Sequence, residues 1–137
     1  MQMRVPARAV QVPEVRRAAM EFVHTRCRDA NQLALDVGLA VSEACANVVR
    51  HAYRNREGEL RLELRVEAAQ LIVTIADDGI GIEHESVAPG LGLGLALLRA
   101  LSTLVVQSGH GTTVVMSFAC HPDREAGRWA RELYGRR

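Results

Sequence analysis

The sequence contains no lysine, and all 17 of its basic residues are arginine. A P-loop needs a lysine on the nucleotide phosphates, and a eukaryotic-type protein kinase needs one on a strand beside the ATP. Both kinds of site are therefore excluded. The 16 acidic residues leave a formal net charge of +1. That balance gives no reason to expect nucleic acid or an anionic membrane as a direct partner.

Cysteine is also scarce, with single residues at Cys27, Cys45 and Cys120. An odd number without paired spacing predicts neither a disulfide framework nor a zinc site. No signal-peptide pattern is evident. The most apolar stretch, residues 91–106, is interrupted by Arg99 and is shorter than the ~18 residues of a membrane-spanning helix. These absences favour a soluble protein in a reducing cytoplasm.

The order of the predicted elements indicates the fold class. A length of 137 residues suits one domain, spanning residues 1–137. Periodicity and turn residues predict a strand within 3–9, a helix from Pro13, a helix from its cap Asn31 to about Tyr53, strands at 60–67 and 71–77, a helix from Leu95, strands at 104–108 and 113–119, and a helix at 123–135. The helix from Leu95 is apolar on every side, which predicts an interior position. Helices and hairpins are segregated, which is typical of an α+β domain.

The second predicted helix carries three polar residues on one stripe. Glu43, Asn47 and His51 follow each other at steps of four, which places them along one side of an α-helix. Such a stripe is often only a solvated face. Asparagine, however, costs roughly half a kcal/mol against alanine inside a helix, and this stripe borders the apolar one. A carboxylate and an amide one turn apart can serve as a base and as a ligand for a hard metal ion.

Asp77 is the most informative single residue. Leu71, Val73 and Ile75 share one face of the predicted strand, and a period of two places Asp77 on that same apolar face. An ionised group there is unfavourable unless it is hydrogen-bonded. One interpretation is a strand end where the carboxylate reaches water; the other is a carboxylate that accepts from a ligand's amino group. Thr112 would join this site only if the two strand ends are neighbours.

Glycines follow Asp77 in two clusters. Gly79 and Gly81 can adopt positive φ and let the backbone approach a flat ligand. A turn at 90–94, with three more glycines, leads into the apolar helix. The start of that helix offers free N–H groups and the positive end of the helix dipole, which suits phosphate.

Taken in order, these motifs resemble those of a known family. Their spacing is similar to that of the ATP site shared by gyrase, the heat-shock chaperone, histidine kinases and the mismatch-repair ATPase. Within that superfamily, residues 40–53 closely resemble the anti-sigma-factor serine kinases, and the resemblance covers about residues 3–118. The motifs that carry it are Glu43-x-x-x-Asn47-x-x-x-His51, Asp77-x-Gly79-x-Gly81, Gly90-x-Gly92-x-Gly94 and Gly111-Thr112.

The resemblance implies a role for each site residue. Asp77 would accept a hydrogen bond from the adenine amino group, with Thr112 nearby. Asn47 would give an oxygen to Mg²⁺, which keeps water and phosphate oxygens as its other ligands. Glu43 would be the general base that takes the proton of the attacking serine. Five residues would present backbone N–H groups to the phosphates of ATP or ADP: Gly90, Leu91, Gly92, Leu93 and Gly94.

The resemblance also implies an architecture and partners. The fold would be a two-layer α/β sandwich of the Bergerat type, like that of histidine kinases, with a mixed sheet and helices on one face. The partners would be a sigma factor and an antagonist protein phosphorylated on serine, and the assembly would be a homodimer. The helix at 123–135 lies outside the match.

The segment over the nucleotide departs from the family pattern. Residues 82–89 contain Glu83 and Glu85 and no arginine, whereas family members often place a basic residue near the γ-phosphate. Arg50, Arg54 and Arg99 are the alternative sources of that charge.

Three functions are therefore considered. The first is an ATP-dependent serine kinase that also binds a sigma factor, which Glu43 favours. The second is a nucleotide-dependent binding switch that transfers no phosphate, which the absence of arginine from residues 82–89 favours. The third is a stand-alone sensor-kinase catalytic domain, which is disfavoured because no helical phospho-acceptor segment is evident.

Overall fold

The computed structural model describes residues 1–54, 56–81 and 91–123, with the backbone alone at 91–93. Within these residues the elements are β1 (Gln2–Pro6), α1 (Val12–Arg26), α2 (Ala30–Asn47), β2 (Glu59–Glu67), β3 (Gln70–Asp77), α3 (Leu91–Leu101), β4 (Thr103–Gly109) and β5 (Gly111–Ala119). A 3-10 turn, Ala9–Gln11, precedes α1, and a π-helical turn, Val48–Ala52, follows α2. The α+β prediction is confirmed. The predicted helix at 123–135 lies outside the described residues, apart from its first position.

The strands form one sheet in the order β1-β2-β3-β5-β4. Every neighbouring pair of strands in the described part of the chain is antiparallel, so the predicted mixed sheet is wrong. Short turns join β2 to β3 and β4 to β5, and such turns connect only antiparallel strands. The segment with α3 carries the chain from β3 to the far edge of the sheet. There β4 begins, so β5 returns beside β3 in the opposite direction.

Alternation along the strands separates the two faces of the sheet. Leu62, Val73 and Met116 face the helices and are fully buried, whereas Val105 lies on the open face with 51% exposure. The core lies between this inner face and the apolar sides of α1 and α2. Asp77 shares a strand face with Val73, so its carboxylate enters the helix side, as the period of two predicts.

The start and end of α2 differ from the prediction. The helix begins at Ala30, and the preceding residue, Asp29, adopts a left-handed conformation with φ 49° and makes no side-chain cap. Asn31 is therefore not the cap, because the short connection from α1 reverses direction at Asp29. The α-helix ends at Asn47, where the π turn replaces the predicted continuation to Tyr53. Turns of this kind occur frequently at functional sites.

The third helix is not wholly interior, contrary to the prediction. Leu98 is fully buried, whereas Ala96 and Arg99 are exposed. One side of α3 packs against α2, and the other side faces outward. An apolar composition does not by itself require burial, because much of any protein surface is made of apolar atoms.

The segment Ala30–Ala52 is long and apolar. Its 23 residues, with a hydropathy of 1.3, would suffice to cross a membrane by length and composition alone. Val37, Val41 and Cys45 on this segment are fully buried in the core. That burial is typical of the central helix of a folded domain, which passes the same test.

Cys27 and Cys120 form a disulfide, which corrects the prediction from the cysteine count. Their Cα atoms are 6.1 Å apart, although 93 positions separate the residues in sequence. The two segments also share a backbone hydrogen bond of 2.8 Å, which the Arg28 N–H donates to the His121 carbonyl. Sequence spacing could not reveal this pair, because the tertiary fold brings it together. The free cysteine, Cys45, is buried, and burial raises the pKa of its thiol to about 12.

Alkylation followed by intact-mass measurement tests the disulfide. We expect no labelling of the native protein, because the free thiol of Cys45 is buried and protonated. With two of the three cysteines bonded, one label should appear in denaturant and three after reduction. Reduction should also lower the free energy of unfolding, measured with urea, by about 2–4 kcal/mol. Three labels without reductant would contradict the assignment.

Candidate functional site

The Asp77 carboxylate lies at the end of β3 on the helix side of the sheet. Only 4% of the residue is exposed, so it is not a strand end that reaches water. Its Oδ1 atom accepts hydrogen bonds from the N–H groups of Gly79 at 2.9 Å and Thr112 at 3.3 Å. Among the described residues both of these bonds end on the same oxygen, so Oδ2 can accept from a ligand.

The surroundings of Asp77 disfavour its charge. Burial raises the pKa of this carboxyl above its ordinary value, and the N–H groups of Gly79 and Thr112 lower it in part. An additional donor from a ligand would stabilise the ionised form. A buried carboxylate with a shifted pKa is a frequent sign of a functional site.

Thr112 lies beside Asp77, as its predicted role requires. The two residues are directly opposite each other in the β3–β5 pair. Opposite residues share a face of the sheet, so the Thr112 side chain is also on the helix side. The end of β3 and the start of β5 are therefore neighbours, which confirms the condition for Thr112 to join the site. Its place near adenine stays a prediction.

The two glycines after Asp77 are required for different reasons. A Cβ on Gly79 would lie 2.1 Å from the Ala52 carbonyl oxygen, so this backbone is pressed against the π turn. Gly81 has φ 77°. Among the described glycines, positive φ occurs at Gly81 and Gly111, so Gly81 uses this conformational freedom and Gly79 does not. Close contact with the π turn explains why residue 79 is a glycine.

Sequence reasoning missed the residues that hold the loop after β3. The Tyr53 hydroxyl accepts a hydrogen bond of 2.9 Å from the Asp78 N–H, and the Ala52 carbonyl accepts one of 2.8 Å from the Ile80 N–H. Arg61 donates to both carboxylate oxygens of Asp78. Hydrophobic periodicity carries no signal for a π turn. The available signal was an aromatic residue directly after the polar helix stripe.

Glu43 and Asn47 face the start of α3. A Cβ on Gly94 would lie 3.0 Å from Oε1 of Glu43 and 3.1 Å from Nδ2 of Asn47. Gly94 therefore brings the backbone of α3 into direct contact with both polar side chains. The structure thus places together the three residues that the resemblance assigns to the phosphate end of the site.

The Asn47 side chain fits the proposed role toward Mg²⁺. Its Oδ1 atom is buried and accepts no hydrogen bond from any part of the chain that the structure describes. An orphaned amide oxygen of this kind is unfavourable unless a ligand or an ion satisfies it. No group of three or more His, Cys, Asp or Glu side chains suited to a metal occurs among the described residues. A site that takes one protein oxygen and several phosphate and water oxygens is compatible with this donor set.

The predicted glycine turn is partly helical. Gly90 lies outside the described residues, while Leu91, Gly92, Leu93 and Gly94 form the first turn of α3. Glycine lowers helix propensity by about 1 kcal/mol, which is why the pattern favoured a turn. The contact of Gly94 with α2 explains the glycine at that position instead. The first four N–H groups of a helix lack intrahelical partners, so these groups still suit phosphate.

His51 does not continue the polar stripe of α2. It lies in the π turn, where the α-helical spacing that relates Glu43 to Asn47 no longer applies. Arg50 and Arg99 are exposed, as is Arg54. The structure therefore brings together two of the three predicted stripe residues.

A cavity of about 720 Å³ lies beyond Tyr53, away from these residues. Its lining includes Arg4, Arg8 and Arg56, together with Glu57. None of the predicted site residues contributes to it. It is therefore separate from the cleft between Asp77, α2 and α3.

Comparison with known proteins agrees with the geometry. The profile of the histidine kinase-like ATPase domain matches residues 5–118. The chain is 29% identical over 132 residues to the serine-protein kinases RsbW of Bacillus thuringiensis (strain Al Hakam) and Bacillus cereus (strain AH187), covering 85% of this chain and 82% of each relative.

Solved structures show the same fold. The histidine kinase domain of the Erythrobacter litoralis EL346 blue-light activated histidine kinase superposes with a TM-score of 0.61 at 27% identity, over 85% of this chain and 62% of that one. The mycobacterial sensor histidine kinase MprB superposes with a TM-score of 0.56 at 19% identity, over 90% of this chain and 100% of that one.

The substitution Asp77→Asn tests whether the charge of this carboxylate contributes to ligand binding. The amide oxygen can still accept from Gly79 and Thr112, but it carries no charge. Loss of a charge-assisted hydrogen bond, about 1.5–3 kcal/mol, should weaken ATP binding about tenfold or more. Calorimetric titration with ATP measures this. Unchanged affinity would remove Asp77 from adenine recognition.

The same variant should show an altered pH dependence of stability. A raised pKa means that the folded protein binds the Asp77 proton more tightly than the unfolded chain does. Wild-type stability therefore loses a contribution as pH rises from the ordinary carboxyl value through the raised one. Asp77→Asn lacks this loss, so we expect it to gain stability relative to wild type across that window. Urea unfolding of the ligand-free proteins at a series of pH values checks this. A free energy of unfolding that falls for Asp77→Asn relative to wild type as pH rises would contradict it.

Proposed function

Because the chain belongs to the histidine kinase-like ATPase domain family, we propose that it is an ATP-dependent protein serine kinase of the anti-sigma type. It phosphorylates an antagonist protein on serine and sequesters a sigma factor. Two findings support this proposal: the family match over residues 5–118 and the similarity to the serine-protein kinases RsbW.

The observation that carries the proposal is the group formed by Glu43, Asn47 and Gly94. One carboxylate and one unsatisfied amide oxygen lie together at the start of a helix whose free N–H groups suit phosphate. ATP would lie with its adenine toward Asp77 and its phosphates toward this group. The amide oxygen of Asn47 would hold Mg²⁺, which would supply charge neutralisation on the phosphate oxygens.

The transfer requires little covalent chemistry from the protein. The serine oxygen of the antagonist attacks the γ-phosphorus while Glu43 accepts its proton, and the bond from the γ-phosphorus to the ADP oxygen breaks. Phosphoryl transfer depends mainly on positioning and on stabilisation of the developing charge. The N–H groups of the first turn of α3 supply part of that stabilisation.

The assembly and the compartment belong to the same proposal. A homodimer follows from the family resemblance, and partners that are proteins rather than nucleic acid or membrane follow from the resemblance and from the balanced charge. A cytoplasmic location is part of the proposal, but the Cys27–Cys120 disulfide removes the cysteine count as support for a reducing compartment.

A non-transferring switch is the second candidate, and one observation favours it. Residues 82–89 contain no arginine, and the chain has no lysine, so this segment supplies no permanent positive charge for the γ-phosphate. A protein of this kind would bind nucleotide and hold a partner, or activate a partner phosphatase, without making phosphoserine.

Incubation with Mg-ATP and candidate antagonist proteins distinguishes the two functions. We expect phosphoserine on the antagonist with the wild-type protein. Glu43→Ala should reduce transfer by about 10²–10⁴ because a positioned base is lost, while ATP affinity is retained. Asp36→Asn is a matched control, since Asp36 is another partly buried carboxylate on α2 and accepts its hydrogen bond from Gln32.

Each outcome assigns the function. Equal transfer by Glu43→Ala and wild type would remove Glu43 as the base. ATP binding and partner binding by the wild type, without phosphoserine on any antagonist, would support the switch. Phosphate incorporation into the chain itself on histidine would instead support a sensor-kinase domain.

A further inference from the structure

The Tyr53 side chain connects the end of the π turn to the last paired residues of β2 and β3. Its hydroxyl accepts from the Asp78 N–H at 2.9 Å and donates to the Glu59 carbonyl at 2.6 Å. Leu60 and Asp77 form the final pair of the β2–β3 ladder. Continuing that register, Glu59 would face Asp78. The hydroxyl therefore lies where the next direct hydrogen bond between the two strands would form.

This insertion separates the strands at the point where the chain must leave the sheet. A direct bond from the Asp78 N–H to the Glu59 carbonyl would extend β3 by one residue. The inserted hydroxyl satisfies both groups while keeping them apart. The chain after Asp77 then turns toward α2 instead of continuing along β2.

Three successive N–H groups of the loop are held in this way. Tyr53 binds the N–H of Asp78, the Asp77 carboxylate binds that of Gly79, and the Ala52 carbonyl binds that of Ile80. The middle bond orients Oδ1 of Asp77. The two outer bonds, both from the end of the π turn, determine where the middle N–H lies.

Packing fixes the tyrosine ring independently of its hydroxyl. A Cβ on Gly58 would lie within 2.2–2.3 Å of three ring carbons, so the ring lies flat against that glycine backbone. Loss of the hydroxyl would therefore leave the ring in place. Asp78 is exposed and Glu59 is only partly buried, so water can replace the lost bonds to the Asp78 N–H and to the Glu59 carbonyl.

We propose that Tyr53 is a positioning residue for nucleotide recognition, which acts by holding the loop 77–81 so that the Asp77 carboxylate faces the adenine. This inference rests on the proposed nucleotide site. It predicts an effect at the adenine end of the ligand and none at the phosphate end.

The substitution Tyr53→Phe tests the inference, with affinities measured by calorimetry. We expect ATP, ADP and adenosine to bind about three- to tenfold more weakly, which corresponds to loss of roughly one hydrogen bond. The ratio of ATP to ADP affinity should stay constant, because the phosphates bind at α3. Tripolyphosphate, as a probe without adenine, should bind the variant and the wild type equally.

A matched control removes a hydroxyl elsewhere. Ser102 donates to the Leu98 carbonyl at 2.7 Å, at the end of α3. Ser102→Ala should leave all these affinities unchanged. If Tyr53→Phe left the adenosine affinity unchanged, as Ser102→Ala should, Tyr53 would be only structural and the inference would be overturned.

Amide hydrogen exchange of the wild-type protein supplies a test that does not depend on a variant. The Asp78 and Ile80 amides should be protected in the absence of nucleotide, since the protein's own groups bind them. Fast exchange at both would overturn the inference. Failure of the wild type to bind any adenine nucleotide would instead overturn the proposed function on which it rests.

Discussion

A carboxylate inside an apolar layer is stable only where donors meet it, and two N–H groups of this chain offset part of the cost of burying Asp77. β5 lies beside β3, so the Thr112 N–H reaches the carboxylate, and the loop turns back so that the Gly79 N–H reaches it too. The loop can turn there because Gly79 packs against Ala52 at the end of the π turn. One buried carboxyl group thus links the sheet and the loop, and the loop in turn packs against the π turn.

The opposite side of the cleft depends on close approach between two helices. Gly94 removes the side chain that would separate α3 from Glu43 and Asn47. The same contact buries the amide oxygen of Asn47 without a donor among the described residues. A group left unsatisfied at a helix start that suits anions supports an ionic ligand there. The Asp77 carboxylate and the group of Glu43, Asn47 and Gly94 therefore lie on separate elements of the fold.

The sequence predicted those features that depend on short-range geometry. A period of two placed Asp77 on the buried face of β3, and helical spacing placed Glu43 one turn from Asn47. Features that depend on tertiary contact could not be predicted in this way. There are three such features: the antiparallel return of β5, the bond between Cys27 and Cys120, and the π turn after Asn47. They leave no local pattern in the sequence. The glycines show the same limit, since spacing cannot distinguish a turn from a close contact.

The Cys27–Cys120 bond has a consequence for how the two layers can move. β5 carries Thr112 near one end and leads into Cys120 at the other, so eight strand residues, about 26 Å, separate the bond from the cleft. The disulfide between the helical layer and the sheet therefore lies at the end of the domain away from the cleft. Small rotations of the helices about that tied end would widen or narrow the cleft without breaking any covalent link.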